Sequence, residues 1–412
     1  MNTWLKRAMW SVASILLASP ALTHPTGAVT QETATARVVR AANAFLATLT
    51  DEQRKKEVYA FDDEKQRARW SNFPTGFVPR GGLSLRQMSP PQREAAMALL
   101  RAALSKRGYE KCLQIMDADE AFKANHGGPG GGFSGGGRPG GRGGGPPGGQ
   151  GGFGGGGPQG GPSDRQGGGF GPPGGQGGRG GQGGPGGMGD DAMFGKDLYY
   201  FSILGSPSET KPWALQFGGH HLAINLTVIG AKGVITPTLT GAQSAVFTLN
   251  GKTVRPLGAE SDRGLALLNS LDAAQRKAAI LNYEVGDLML GPGQDGKTIV
   301  PEGVRVSTLS VKQRALLLGV VREWAGIVND SAAGLRMKEI EADLDKTWFA
   351  WSGPTTAKPG ENIAAYYRIQ GPRIVIEYAP QGGRDDPRTH VHTIYRDPTN
   401  DYGRGVVAGK DR

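Results

Sequence analysis

One stretch limits the fold of this 412-residue chain more than any other: of its 69 glycines, 38 fall within residues 127–189. Glycine comes there in runs broken by Pro, Gln and scattered Arg, and Phe133, Phe153, Phe170 and Met188 are the only large apolar groups. Such a segment cannot bury enough surface to offset its ordering entropy, so the spacing predicts a disordered insertion. Collagen is excluded, because glycine does not recur at every third position. The foldable material is therefore two blocks, residues 28–126 and 190–412, long enough together for a substantial core. The formal charge of +10 rests partly on Lys6, Arg7 and four arginines of the glycine-rich stretch. The blocks themselves are mildly basic and hold no Lys/Arg-rich run, which argues against a nucleic-acid partner.

The first residues read as an export signal. Lys6-Arg7 precedes an apolar run, Ala8 to Ala18, and small residues follow around Ser19-Pro20-Ala21. We take residues 1–23 as the signal peptide and expect the mature chain to begin between about residues 22 and 29. The run is too short to span a bilayer, and no other stretch is long enough, so no transmembrane span is expected after its removal. This places the chain in a periplasmic or extracellular compartment. Its one cysteine, Cys112, precludes an intramolecular disulfide and reads as a small core residue.

Residues 32–125 have helical periodicity. Four sites share one device, a capping oxygen three residues before a glutamine: Thr50/Gln53, Ser89/Gln92, Asp272/Gln275 and Ser310/Gln313. They are expected to be four independently capped helices, since no fixed period suggests a solenoid. After Asp190, strands are expected at Leu198–Ile203, Trp213–Phe217, His221–Ile229 and Ala245–Leu249, then helices at about 261–283, 310–328 and 332–346. Further strands follow at Thr347–Trp351, Ala364–Ile369, Ile374–Tyr378 and Thr389–Tyr395. This pattern specifies an α+β fold: a helical N-terminal part, then a mixed, largely antiparallel sheet with flanking helices.

The six histidines carry the chemistry. His24 lies near the cleavage region and His126 at the edge of the glycine-rich stretch; the other four form two tight pairs, His220-His221 and His390-Val391-His392. Residues two apart on a strand face the same side, so His390 and His392 project together. Such a pair plus a third histidine from a neighbouring strand makes an open three-histidine metal site. On a regular strand His220 and His221 point to opposite faces. His221 is the better ligand, because Leu222, Ile224, Leu226 and Val228 on the face of His220 look like core; a bulge at Gly218-Gly219 would admit both. Glu377, on an apolar strand, is a candidate fourth ligand or general acid/base. Arg396 or Asp397 would orient the histidines from behind, although the segment through Asn400 and Asp401 also reads as a turn.

Four segments together resemble a known family. Trp70-Ser-Asn-Phe-Pro74, Phe217-Gly-Gly-His-His-Leu222, Pro237-Thr-Leu-Thr-Gly241 and His390-Val-His-Thr-Ile-Tyr-Arg-Asp-Pro-Thr-Asn-Asp-Tyr-Gly403 are similar to the exported domain-of-unknown-function family numbered thirty-five hundred. The resemblance implies one module holding all four histidines, and transfers no activity. Two functions then compete. In the first, His221 (or His220), His390 and His392 bind zinc or copper in an exported enzyme, possibly hydrolytic, acting on a small-molecule or polymer substrate. In the second, the histidines and Trp70, Trp213 and Tyr395 line the cleft of a non-catalytic envelope binding protein. A serine hydrolase is disfavoured, because no G-x-S-x-G elbow is present.

Overall fold

The computed structural model describes residues 32–126, 193–381 and 386–409. The expected signal peptide and glycine-rich insertion lie outside them. The fold is α+β, as expected: a mixed sheet of twelve strands, almost wholly antiparallel, with helices packed against it. No described helix is long and apolar enough to cross a membrane.

Two halves follow the same course. The first runs through α1 (Ala34–Ala47), α2 (Asp51–Glu57), β1 (Val58–Tyr59), α3 (Glu64–Arg67), β2 (Leu83–Ser84), α4 (Pro90–Ala103) and α5 (Lys106–His126). It continues through β3 (Tyr200–Leu204), β4 (Trp213–Gly219), β5 (Leu222–Ile229), β6 (Lys232–Val234) and β7 (Thr238–Gln243). A separate hairpin follows, β8 (Phe247–Leu249) with β9 (Lys252–Val254). The second half runs through α6 (Gly258–Ser270), α7 (Ala273–Ala279), β10 (Val304–Arg305), α8 (Val311–Ala325) and α9 (Asp330–Ala342). It then adds β11 (Trp348–Ser352), β12 (Tyr366–Gly371), β13 (Ile374–Pro380) and β14 (His390–Arg396), with a short α10 (Arg404–Val407) at the end.

The correspondence extends to single hydrogen bonds. All four predicted capping boxes form. They are not independent, however. Gln53 and Gln92 donate to each other's amide oxygen at 3.3 and 2.7 Å, and Gln275 and Gln313 do the same at 3.3 and 2.7 Å. Gln92 also donates to the Thr48 carbonyl, and Gln313 to the matching Ser270 carbonyl. Leu85 N–H reaches Tyr199 O at 2.9 Å, and Val306 N–H reaches Thr347 O at 2.8 Å. Gly82 (φ 84°) and Gly303 (φ 98°) occupy matching left-handed positions where a Cβ would strike the Phe201 or Phe349 carbonyl. Each half thus pairs the short strand before its second capped helix with the first long strand after it: β2 with β3, β10 with β11.

The halves meet at the centre of the sheet, where β7 lies antiparallel to β14. One sheet face carries Phe217, Leu222, Ile224, Ile376, Tyr378, Val391 and Tyr395, and packs under the helices in the main hydrophobic core. This burial is the dominant stabilising term. The opposite face is more polar, and two long connections cross it, residues 60–82 and 281–303. A small cluster of Trp70, Ala223, Leu239 and Ile394 with Leu288 anchors both connections to it.

Candidate metal centre

Strand β5 begins at Leu222, not at His221. Gly219 pairs with Leu222, so His220 and His221 form a two-residue turn joining β4 to β5. The expected alternation of their side chains across a strand therefore does not apply, and the two glycines stay in register rather than bulging. Their role is close approach: a Cβ on Gly218 would lie 2.4 Å from Leu222 O, and one on Gly219 2.7 Å from Leu198 O. His221 sits at φ 60°, a left-handed conformation that costs a non-glycine residue about 1–2 kcal/mol. Its N–H is held by the Asn72 carbonyl at 3.3 Å. This turn aims the ring back over the sheet, beside Gly241, where an added Cβ would lie 3.4 Å from both His221 Cβ and His392 Cδ2.

Strand period does what the sequence predicts for the other pair. His392 pairs with Gly241 and His390 with Gln243, and both rings rise on the loop-covered face. His390 Nε2 lies 3.2 Å from His221 Nε2 and 3.2 Å from His392 Nε2. The three ligand nitrogens all fall within 4.8 Å of one another. His221 and His392 are buried and His390 is partly exposed, so the site opens towards His390. Burial first, and then the neighbouring imidazoles, hold the His221 pKa well below its usual value. Neutral imidazole is the form that binds a metal.

On its far side, His392 Nδ1 lies 3.3 Å from Asp287 Oδ1 and 3.4 Å from Asn72 Nδ2. A proton on Nδ1 suits the carboxylate and leaves Nε2 as a lone pair facing the other two rings. Asp287 is itself fixed by the Leu288 N–H at 2.7 Å and Gln381 Nε2 at 2.9 Å. Burial raises its pKa, but the His392 contact and these donors outweigh that and hold it below the usual value. Sequence reasoning missed Asp287 and Asn72; the one available signal was Asn72 inside the Trp70–Pro74 motif.

Several expected site residues lie elsewhere. Glu377 is buried and faces no histidine: it accepts from Met289 N–H (2.9 Å), Leu290 N–H (2.8 Å) and Tyr366 OH (2.6 Å). Arg396 donates to the Leu290 and Gly291 carbonyls and to Asp295 and Asp401. Both residues thus grip the connection that carries Asp287 and do not touch the imidazoles. Asp397 pairs with Arg336 at 2.7 Å and caps Thr399. Asn400 and Asp401 close the terminal turn, accepting from Gly405 and Asp397 N–H respectively. His220 points away from the triad, its Nδ1 2.6 Å from Asp119 Oδ1. Trp213 and Tyr395 are core residues, and Trp70 is buried against the sheet with its indole donating to Tyr402 OH. They do not form an aromatic cleft around the histidines. Cys112 is buried, and burial pushes its thiol up to about 12. His126 closes α5, and His24 lies outside the described residues.

Comparison with curated proteins and with solved structures finds no match. A family model does match, over residues 31–404, and its description is protein of unknown function, DUF3500. That span includes the connections, the sheet and all three converging histidines, so the chain belongs to the DUF3500 family.

Proposed function

We propose that this chain is an exported metal-dependent enzyme whose zinc or copper ion is held by Nε2 of His221, His390 and His392. One observation carries the reading: the convergence of three Nε2 atoms, with two separations of 3.2 Å. Nitrogens about 2.0–2.1 Å from a tetrahedral zinc are roughly 3.3 Å apart, so the spacing fits one shared ion. The donor chemistry agrees, since His390 Nε2 cannot satisfy both neighbours with a single hydrogen, whereas a cation satisfies three lone pairs at once.

Three protein ligands leave a coordination position open, the mark of a catalytic rather than a structural zinc site. An ion there would polarise a substrate oxygen and acidify a bound water, the chemistry of hydrolysis. The protein's own contribution is positional. Asp287 fixes the tautomer of His392, and Asn72 ties the His221 turn to the connection crossing the sheet. Glu377 and Arg396 hold the second connection, so that Asp287 stays in place. Imidazole suits zinc and copper alike, and copper binds more tightly. Export rests on Lys6-Arg7 and the apolar run behind them.

The test is elemental analysis of protein purified from the exported fraction and dialysed. One zinc or copper per chain is expected, and it should be absent from His390→Ala. Metal-free wild-type protein that fails to bind either ion in a calorimetric titration would overturn the reading.

A further inference from the structure

The mechanism above gives no task to the Asp119–His220 pair, although both side chains are only 3% exposed. We infer that it is a positioning dyad that sets the orientation of the His221 ring; this rests on the metal-site reading. Three contacts lock His220. Its Nδ1 meets Asp119 Oδ1 at 2.6 Å, its carbonyl accepts from Tyr199 OH at 2.9 Å, and Phe194 packs edge-on with ring centroids 5.1 Å apart. Asp119 is fixed in turn, because its other oxygen accepts from Gly195 N–H at 2.9 Å. The ring of His220 also lies against that of His221, with centroids 3.7 Å apart and planes inclined by 31°.

This contact answers a problem posed by the turn. His221 has a left-handed backbone, and its Nε2 must reach a point shared with two nitrogens from another strand. His392 has Asp287 on its Nδ1, whereas the orientation of His221 is set by a flat, immobile neighbour. Hydrogen-bonded partners behind a ligand are worth roughly 10–100-fold in metal affinity because they fix the ring, and a packed ring that limits the same rotation acts in the same direction. The pair also spans elements distant in sequence: Asp119 is on α5, His220 on the β4–β5 turn, and Phe194-Gly195 where the described chain resumes.

The experiment measures cobalt(II) and zinc affinity of the full-length metal-free protein, with the cobalt ligand-field spectrum and thermal melting as companions. His220→Ala should lower affinity about 10–100-fold and shift the visible bands, and Asp119→Ala should follow in the same direction. The double variant Asp119→Leu/His220→Phe keeps a flat, packed ring in the same place without leaving a buried carboxylate unpaired, and this Phe variant should stay within about threefold of wild type, with its bands unshifted. A purely structural role predicts lowered melting temperature with unchanged bands and affinity, which overturns the proposal. So does a Phe variant as weak as the Ala variant, since the ring face would then not be the agent. If wild-type protein itself binds no cobalt or zinc, it is the metal-site reading that fails, and the dyad proposal falls with it.

Discussion

The two halves share helices, capping boxes and strand order, yet only the first places a proposed ligand on the turn between its second and third long strands. In the first half the turn after β4 is Gly219-His220-His221-Leu222; in the second the matching turn after β12 is Gly371-Pro372-Arg373-Ile374. Arg373, at the place of His221, makes an ordinary structural contact, its Nε 2.7 Å from Asp343. The scaffold therefore tolerates either turn. The site comes from decorating each half differently, one at the β4–β5 turn and the other at the start of β14, where the two frames meet.

Substitutions in the two turns should give the sharpest contrast. His221→Ala should abolish stoichiometric metal, an affinity loss of at least about 100-fold, with the metal-free melting temperature nearly unchanged. Arg373→Ala should do the reverse, keeping full metal content while losing stability as Asp343 and the Glu339 carbonyl go unpaired. Metal content by elemental analysis and melting by calorimetry decide it; equal behaviour of the two variants would break the comparison.

The capping glutamines test whether the halves are energetically alike. Gln92→Ala and Gln313→Ala each strip a partner from a second glutamine and from a backbone carbonyl. Each should cost about 1–3 kcal/mol in urea unfolding, because an interior group is left unsatisfied. A gap between them much beyond 1 kcal/mol would show that the repeated geometry is not repeated energy.

Acidity should expose the decorated turn. His221 has a native pKa well below its usual value of 6.5, so the unfolded chain takes up a proton that the native chain refuses. His221 alone then leaves the stability of the metal-free protein unchanged above about pH 6.5 and lowers it as the pH falls below that value, against the raised buried carboxylates such as Asp401, which act in the opposite sense. His221→Gln should flatten that slope, measured by denaturant unfolding at several pH values.

The smallest effect is expected from the link after α5. In the second half residues 343–347 join α9 to β11, whereas the first half has the glycine-rich stretch between α5 and β3. Phe194 packs edge-on against Phe122 and Gly195 N–H donates to Asp119, so both residues lie against α5. Deleting residues 130–187 should move the melting temperature by no more than a few degrees, because closure entropy grows only logarithmically with loop length. A large fall would assign that stretch a structural task.

Much of this was legible because it depends on local periodicity. The capping boxes, the main strands and the shared face of His390 and His392 all follow from spacings of three and two residues. Asp287 was hidden, since it is one of four carboxylates in a long connection and bears no sequence relation to a histidine more than a hundred residues away. Glu377 shows the opposite case: a carboxylate on an apolar strand suggests chemistry, and in the structure it accepts from two backbone N–H groups and no histidine. His221, not His220, converges with His390 and His392, and it does so from a turn rather than by the strand alternation that the sequence suggests. The duplication could have been seen. Thr50 to Ser89 and Asp272 to Ser310 are almost equal intervals, each bounded by the same capping device.

The seam between β7 and β14 has a kinetic consequence. His221 belongs to the half that ends in β7, and His390 and His392 lie on β14 itself. An ion bound there ties the two copies together at the line where they would part. Release of the ion and separation of the halves then become one event, so metal should slow unfolding far more than it speeds folding. The bound ion would act as a lock on lifetime rather than as a guide to assembly, setting how long a folded chain lasts rather than how fast it forms.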